Sequence, residues 1–209
     1  MKKELIYIGD PMCSWCWGFS PVLQKIREQF HHDLAFSVIV GGLRAGTSEN
    51  LTEDLKQDIR GHWTEVNKMT GQPFSFNFFN RDNFIYNTEP ACRAVVTIRN
   101  LKPNLVFSYF ESLHHSFYVE NHDITTTEVL SNNAGKIGVD SEAFQLTFNS
   151  RKIIDETASD FETARRMGVF GFPSLVLKEA EKIIPVSNGY CTFEGLTRKL
   201  DKVLNHQSF

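Results

Sequence analysis

Cysteine is scarce in this chain. Four thiols in 209 residues, at positions 13, 16, 92 and 191, are too few to build a disulfide-stapled scaffold. No apolar run approaches the length of a membrane span. The apolar stretch nearest the start, Leu5-Ile6-Tyr7-Ile8, is cut off by Gly9-Asp10-Pro11, too soon for the core of a secretory leader. Neither sign of charge dominates: 22 Lys and Arg against 25 Asp and Glu leave a net charge of −3, which gives no ground for a nucleic-acid partner. Repeats, low-complexity tracts and linkers are missing as well. The expectation is a globular cytoplasmic protein with no membrane partner, folded as one domain or as one domain with a large insertion. In that compartment a close cysteine pair is expected to cycle rather than to persist as a staple. Phenylalanine alone is in excess, with 18 copies, which implies an aromatic core and some apolar binding surface.

The chain is organised around Asp10-Pro11-Met12-Cys13-Ser14-Trp15-Cys16-Trp17-Gly18-Phe19. Residues 5–9 before it read as a short buried strand. Phe19, Leu23, Ile26 and Phe30 after it share one face of a helix, with Pro21 inside and His31-His32 closing it. Cys13 thus sits where a strand becomes a helix, and the unpaired N–H groups and partial positive charge of a helix start favour a thiolate. Cys16 is one turn further on the same side, placed to close a disulfide. Half of a zinc site and a pair of inert thiols are the competing readings. The metal reading needs a second ligand pair, and neither Cys92 and Cys191 nor the adjacent histidine doublets supply one, so no metal is expected.

Residues 34–40 form a second strand ended by Gly41-Gly42, which predicts a parallel β-α-β unit. From Ala45 to about Arg166 the pattern is helical. Leu51, Leu55, Ile59, His62, Val66 and Met69 line one helical face, residues 74–78 are an extended or aromatic loop, and Thr88 with Pro90 opens a helix carrying Cys92. Residues 174–177 and 182–186 make a hairpin in which Pro185 marks an edge or a bulge. Thr192 caps a last helix. Between insertion and hairpin lies Gly168-Val169-Phe170-Gly171-Phe172-Pro173, which the β-α-β then β-β-α order brings opposite the cysteine pair.

Cys13-Ser14-Trp15-Cys16 after the first strand, Pro21, the helical insertion and Gly171-Phe172-Pro173 before a hairpin together resemble the DsbA-like family of thiol:disulfide oxidoreductases. The decapeptide at residues 10–19, with Gly41-Gly42-Leu43-Arg44, is most similar to its cytosolic FrnE-like branch, described as protein-disulfide isomerases. The segment at residues 117–124 is similar to an insertion motif of the wider family. The resemblance implies an α/β thioredoxin-like fold, β-α-β then β-β-α around a central sheet, with residues 1–45 and 166–209 as the thioredoxin-like domain and residues 46–165 as an all-helical insertion. It implies Cys13 as nucleophile, Cys16 as resolving thiol, Pro173 as a cis-proline beside them, and Ser14-Trp15 as the dipeptide that tunes the redox potential.

Trp15, Trp17 and Phe172 are candidates for an apolar substrate rim, with burial under the helix as the alternative for Trp17 and for Phe19. Asp10 could assist deprotonation of Cys16 or simply form a turn or cap. Arg44 could reach an anionic ligand such as a glutathione carboxylate or be surface charge. Asn87-Thr88 is placed near the site by resemblance, although capping also explains Thr88. Cys92 and Cys191 are expected as buried thiols acting as small apolar residues. The partners implied are protein or peptide thiols and disulfides, with a dithiol or glutathione system for recycling. No tightly bound cofactor is implied, and glutathione enters only as a redox co-substrate. Two alternatives stand beside this reading. Kappa-class glutathione transferases and 2-hydroxychromene-2-carboxylate isomerases share the fold but carry a serine at the reactive position, and a non-catalytic peptide-binding holdase would use only the helices.

Overall fold

In the computed structural model, which describes residues 3–205, four strands form one mixed sheet in the order β2-β1-β3-β4. β1 (Lys3–Gly9) is central because its residues are apolar on both faces. It pairs in parallel with β2 (Leu34–Val40), joined through α1 (Ser14–Phe30). On its other side it pairs antiparallel with β3 (Ser174–Glu179). β3 turns at Ala180-Glu181 into β4 (Lys182–Asn188), the edge strand, where the register shifts at Leu175/Val176 opposite Pro185. Pro185 therefore has both features expected of it. α8 (Phe193–Asn205) follows, and the Thr192 hydroxyl accepts from the Gly195 N–H at its start.

Between β2 and β3 lie six helices: α2 (Glu53–Thr70), α3 (Glu89–Leu101), α4 (Val106–Tyr118), α5 (Thr127–Lys136), α6 (Ser141–Phe148) and α7 (Arg151–Arg166). Their starts follow capping chemistry. Thr52, Asp140 and Ser150 each accept a backbone N–H three residues on, and Gly71 ends α2 in the left-handed conformation. Strand β1 divides two apolar clusters. Leu5 and Tyr7 face the main core with α1 and the inserted helices, while Ile6 and Ile8 meet Ala164, Val169 and Val176 on the other side. One core thus joins the sheet to the insertion.

The phenylalanines gather on Trp63, a residue absent from the expected face of α2. Its ring lies 4.9 to 6.1 Å from those of Phe74, Phe76, Phe78, Phe79, Phe117 and Tyr118. The buried stripe is Ile59, Trp63 and Val66, whereas His62 and Met69 face outward. Where residues 74–78 were expected as an extended or aromatic loop, a 3-10 turn spans Phe76–Asn80 and brings Phe78 and Phe79 into this cluster.

Pro21 cannot donate to the Trp17 carbonyl in α1. That carbonyl accepts instead from the Ser20 hydroxyl at 2.8 Å and from Gln72 Nε2 at 3.1 Å, which ties the end of α2 to α1.

His114 on α4 is fully enclosed between Phe110 and Trp17, and burial pushes its pKa down to about 3. Between the unfolded value of about 6.5 and this folded value the unfolded chain binds a proton that the folded one does not, so stability falls as pH drops through that window. The His114→Leu variant should lose this component. Its stability curve from urea unfolding should be flatter than wild type between about pH 6.5 and 3, by up to about 5 kcal/mol at the acid end. Parallel curves would show that His114 carries no such penalty.

Candidate functional site

Cys13 is the N-cap of α1, with extended φ and ψ of −91° and 114°. The turn before it is closed by the Cys13 N–H on the Asp10 carbonyl at 3.0 Å, and the Cys13 carbonyl accepts from Trp17 N–H at 3.1 Å. Its Sγ faces the carbonyl of Phe172 at 3.6 Å, from the loop before β3, and the Phe172–Pro173 peptide is cis. The three segments that the sequence singled out thus meet at one point. Gly41 permits this approach, because a Cβ there would lie 2.1 Å from the Phe172 ring.

Both cysteines are free thiols, Cys13 5% exposed and Cys16 fully enclosed. Burial, followed by its hydrogen bond with Cys13, pushes the Cys16 thiol well above its ordinary range. The nearby Tyr7 hydroxyl and Asp10 backbone pull it in the opposite direction by a smaller amount.

Asp10 is fully buried. One oxygen accepts from Met12 N–H at 2.8 Å, and the other accepts from Leu43 N–H at 2.7 Å and from the Cys92 thiol at 3.4 Å. Burial raises its pKa in spite of these donors. The turn-forming role expected for Asp10 is present, but its carboxylate is engaged away from Cys16, so a direct part in deprotonating that thiol has no support in the geometry. Cys92 is buried as expected, though as a hydrogen-bond donor to Asp10 and not as an apolar filler. Cys191 is only partly buried, contrary to expectation, because it lies at the exposed start of α8.

Asn87 and Thr88 reach the site by fixing the loop after β2. Thr88 Oγ1 accepts from Arg44 N–H at 3.2 Å and Asn87 Oδ1 from Gly46 N–H at 2.9 Å. Thr88 makes no side-chain cap. The N-terminal N–H of Glu89 is held by Asn87 instead, at 3.1 Å, so the capping account of Thr88 is replaced by a loop-anchoring one.

The resulting cleft of about 210 Å³ runs past Cys13, Ser14 and Trp15, with Arg44 and His62 on its walls and Phe172 at one side. Trp15 is half-buried, 5.9 Å from the Tyr190 ring. Trp17 is not on the rim. It is 5% exposed, stacks on Tyr118 and donates from Nε1 to the Pro73 carbonyl at 3.0 Å, so it belongs to the core along with Phe19. The apolar rim consists of Trp15 and Phe172, extended by exposed Leu43. Among the described residues no carboxylate pairs with Arg44, whose guanidinium lies 5.9 Å from the Tyr86 ring centre. The described residues contain no cluster of three metal-ligating side chains.

Sequence reasoning missed Tyr7, Tyr86 and Trp63. Tyr86 donates to the Met12 carbonyl at 2.7 Å and so holds the residue before Cys13. Only the strand parity of Leu5, Tyr7 and Gly9 could have hinted that Tyr7 faces the helix carrying the cysteines.

The DSBA-like thioredoxin domain family matches residues 6–199. Among solved structures, a candidate protein disulfide isomerase from Nitrosomonas europaea is 35% identical, with all of both chains covered and a TM-score of 0.95. The cytosolic disulfide reductase DsbM from Pseudomonas aeruginosa shares the fold with a TM-score of 0.79 and 23% identity, over 97% of this chain and 99% of that one. That reductase is also known in complex with GSH, where the match is 24% identical over 98% of both chains, with a TM-score of 0.74. The ClpXP adapter protein SpxH of Halalkalibacterium halodurans is 21% identical over 179 residues, 83% of this chain but 58% of that protein, so the chain spans under two thirds of this relative. No helix among the described residues is long and apolar enough to cross a membrane.

The exposures order the four thiols by access. Under limiting iodoacetamide, mass spectrometry should find Cys13 and Cys191 modified at least about tenfold faster than Cys16 and Cys92. Equal labelling of Cys16 and Cys13 would contradict this burial pattern.

Proposed function

The chain belongs to the DSBA-like thioredoxin family, and on that premise we propose that it is a thiol:disulfide oxidoreductase of the protein disulfide isomerase kind, acting on protein and peptide thiols and disulfides in the cytoplasm. The observation that carries this reading is the juxtaposition of the Cys13 Sγ, at the start of α1, with the Phe172 carbonyl and the open cleft. A reduced Cys13 attacks a substrate disulfide, or a substrate thiolate attacks an oxidised Cys13–Cys16 bond. Both routes pass through a mixed disulfide at Cys13. Cys16, enclosed behind it, resolves the intermediate and is shielded from substrate itself.

In this reading, residues 1–45 and 166–209 carry the exchange chemistry while residues 46–165 supply the far wall of the cleft through His62 and Trp63. Pro173 places its preceding carbonyl beside Cys13, and Ser14-Trp15 separates the two sulfurs without a charged side chain. Glutathione is the favoured small co-substrate. Arg44, without a carboxylate partner among the described residues, lines the cleft as a cation open to a tripeptide carboxylate, and a reductase of the same fold has been solved with that thiol. The serine-based transferase and isomerase chemistry of the wider fold fits less well, because both cysteines are in place.

Substitution separates exchange from a holdase role. Cys13→Ser should abolish disulfide turnover, by at least about a thousandfold, while Cys16→Ser should trap a mixed disulfide visible by mass spectrometry. Turnover that survives in Cys13→Ser would refute the proposal. The equilibrium potential of the pair in glutathione buffers then fixes direction: about −270 mV marks a reductase, about −120 mV an oxidant.

Trp15→Ala should weaken turnover of peptide disulfides about tenfold more than that of a small disulfide such as oxidised dithiothreitol, by removing rim area. Equal losses on both substrates would remove Trp15 from substrate contact.

A further inference from the structure

Trp15 and Phe172 line the cleft from opposite ends of the chain, and one short stretch at the end of β4 holds both. Gly189, the residue after β4, donates its N–H to the Pro173 carbonyl at 2.8 Å. The Ser174 hydroxyl lies 2.8 Å from the Gly171 carbonyl and 3.3 Å from the Asn188 side chain, a second tie to the loop that carries Phe172. Gly189 has a φ of 82°, a conformation that a side chain would strain, and it leads the chain on to Tyr190. The Tyr190 ring packs across two residues one turn apart on α1. Its centroid is 5.9 Å from that of Trp15, tilted by 48°, and 6.4 Å from that of Phe19, edge to face. These two contacts are unequal. Phe19 is fully buried, so it fixes one side of the Tyr190 ring to the core. Trp15 is half-buried and lines the cleft, whereas Tyr190 is outside the residues that line it. Tyr190 therefore backs the indole and leaves its cleft side free.

We propose that Tyr190 is a positioning residue for substrate selection: it holds the Trp15 indole in place at the cleft mouth, so that a peptide chain meets a preformed rim. The proposal rests on the exchange reading above and on Trp15 as part of the substrate rim. A tryptophan in the first turn of a helix, without such a support, samples several rotamers and must be immobilised at each binding event. Packing against Tyr190 removes that cost in advance. The ties from Asn188 and Gly189 to the loop of Phe172 and Pro173 keep the second rim ring in register with the first. A small disulfide reaches Cys13 without using the rim, so Tyr190 leaves its reaction unchanged.

The test uses reduced full-length protein with Cys16→Ser, in which the mixed disulfide at Cys13 accumulates, quenched with acid and read by mass spectrometry. The probes are 2-hydroxyethyl disulfide and a short leucine-rich peptide whose one cysteine is joined to 2-mercaptoethanol. In Tyr190→Ala the rate constant for the peptide should fall about three- to tenfold, the cost of immobilising one side chain, while that for 2-hydroxyethyl disulfide stays within about twofold. Tyr190→Phe, which keeps the ring, should match the parent on both probes. With Trp15→Ala already present, Tyr190→Ala should cost the peptide nothing further, because the residue it supports is gone. An equal added loss in that background overturns the proposal, and so does equal slowing of both probes, which marks a packing defect. A parent that forms no mixed disulfide at Cys13 sinks the exchange reading, and Trp15→Ala that slows both probes alike sinks the rim reading; the proposal falls with either.

The unsubstituted protein supplies a second test that holds whether or not Tyr190→Ala folds. The chain has three tryptophans, and nitrogen-15 relaxation reads the mobility of each indole N–H. Trp15, despite its exposure, should be as ordered as buried Trp17 and Trp63, with an order parameter of about 0.85. A value below about 0.6 marks a ring that nothing holds and overturns the proposal.

Discussion

The buried carboxylate of Asp10 is the interaction on which the site depends. It gathers the Met12 N–H from the turn before α1, the Leu43 N–H from the loop after β2 and the Cys92 thiol from α3. These three segments are remote in sequence, and a buried N–H left unpaired costs about 1–3 kcal/mol, so each is held where the carboxylate can reach it. Enclosure of the acid is itself unfavourable, as its raised pKa shows. The protein accepts that cost to fix the backbone on either side of Cys13. Tyr86 on the Met12 carbonyl, with Asn87 and Thr88 on the loop at residues 44–46, completes the same frame from the inserted helices.

The insertion is thus part of the site and not an attachment to it. Trp63 and its ring of phenylalanines form a stiff wall beside the cleft, and Tyr118 in that cluster stacks on Trp17 of α1. Gln72, at the end of α2, fills the hydrogen-bonding position that Pro21 leaves open. Aromatic packing and one displaced hydrogen bond therefore lock the helical segment to the helix that carries both thiols.

Much of the fold could be read from residue patterns, because the signals involved are local. Strand runs ended by glycines, caps at Thr52, Asp140 and Ser150, and the proline opposite the hairpin bulge all act within a few residues of themselves. The cysteine pair at a strand–helix junction was equally legible. Trp63 was not, because its neighbours in the sequence are polar and its aromatic partners come from residues 74–79 and 117–118. Trp17 was open between rim and core, since a tryptophan beside a reactive cysteine serves either place until the opposing helix is known.

What the sequence alone determined is the chemistry available: two thiols one helical turn apart, the first at a helix start, followed much later by a proline that opens a hairpin. Those features depend on backbone hydrogen bonding and spacing, which neighbours in sequence decide. The tertiary structure decided which polar group serves which sulfur. Asp10, three residues from Cys13, turns its carboxylate away to bind Leu43 and Cys92, while the Phe172 carbonyl, far along the chain, comes to 3.6 Å from the Cys13 sulfur. Pairing of buried polar groups is settled only when distant segments close around them, because each must find a partner inside the fold once water is gone.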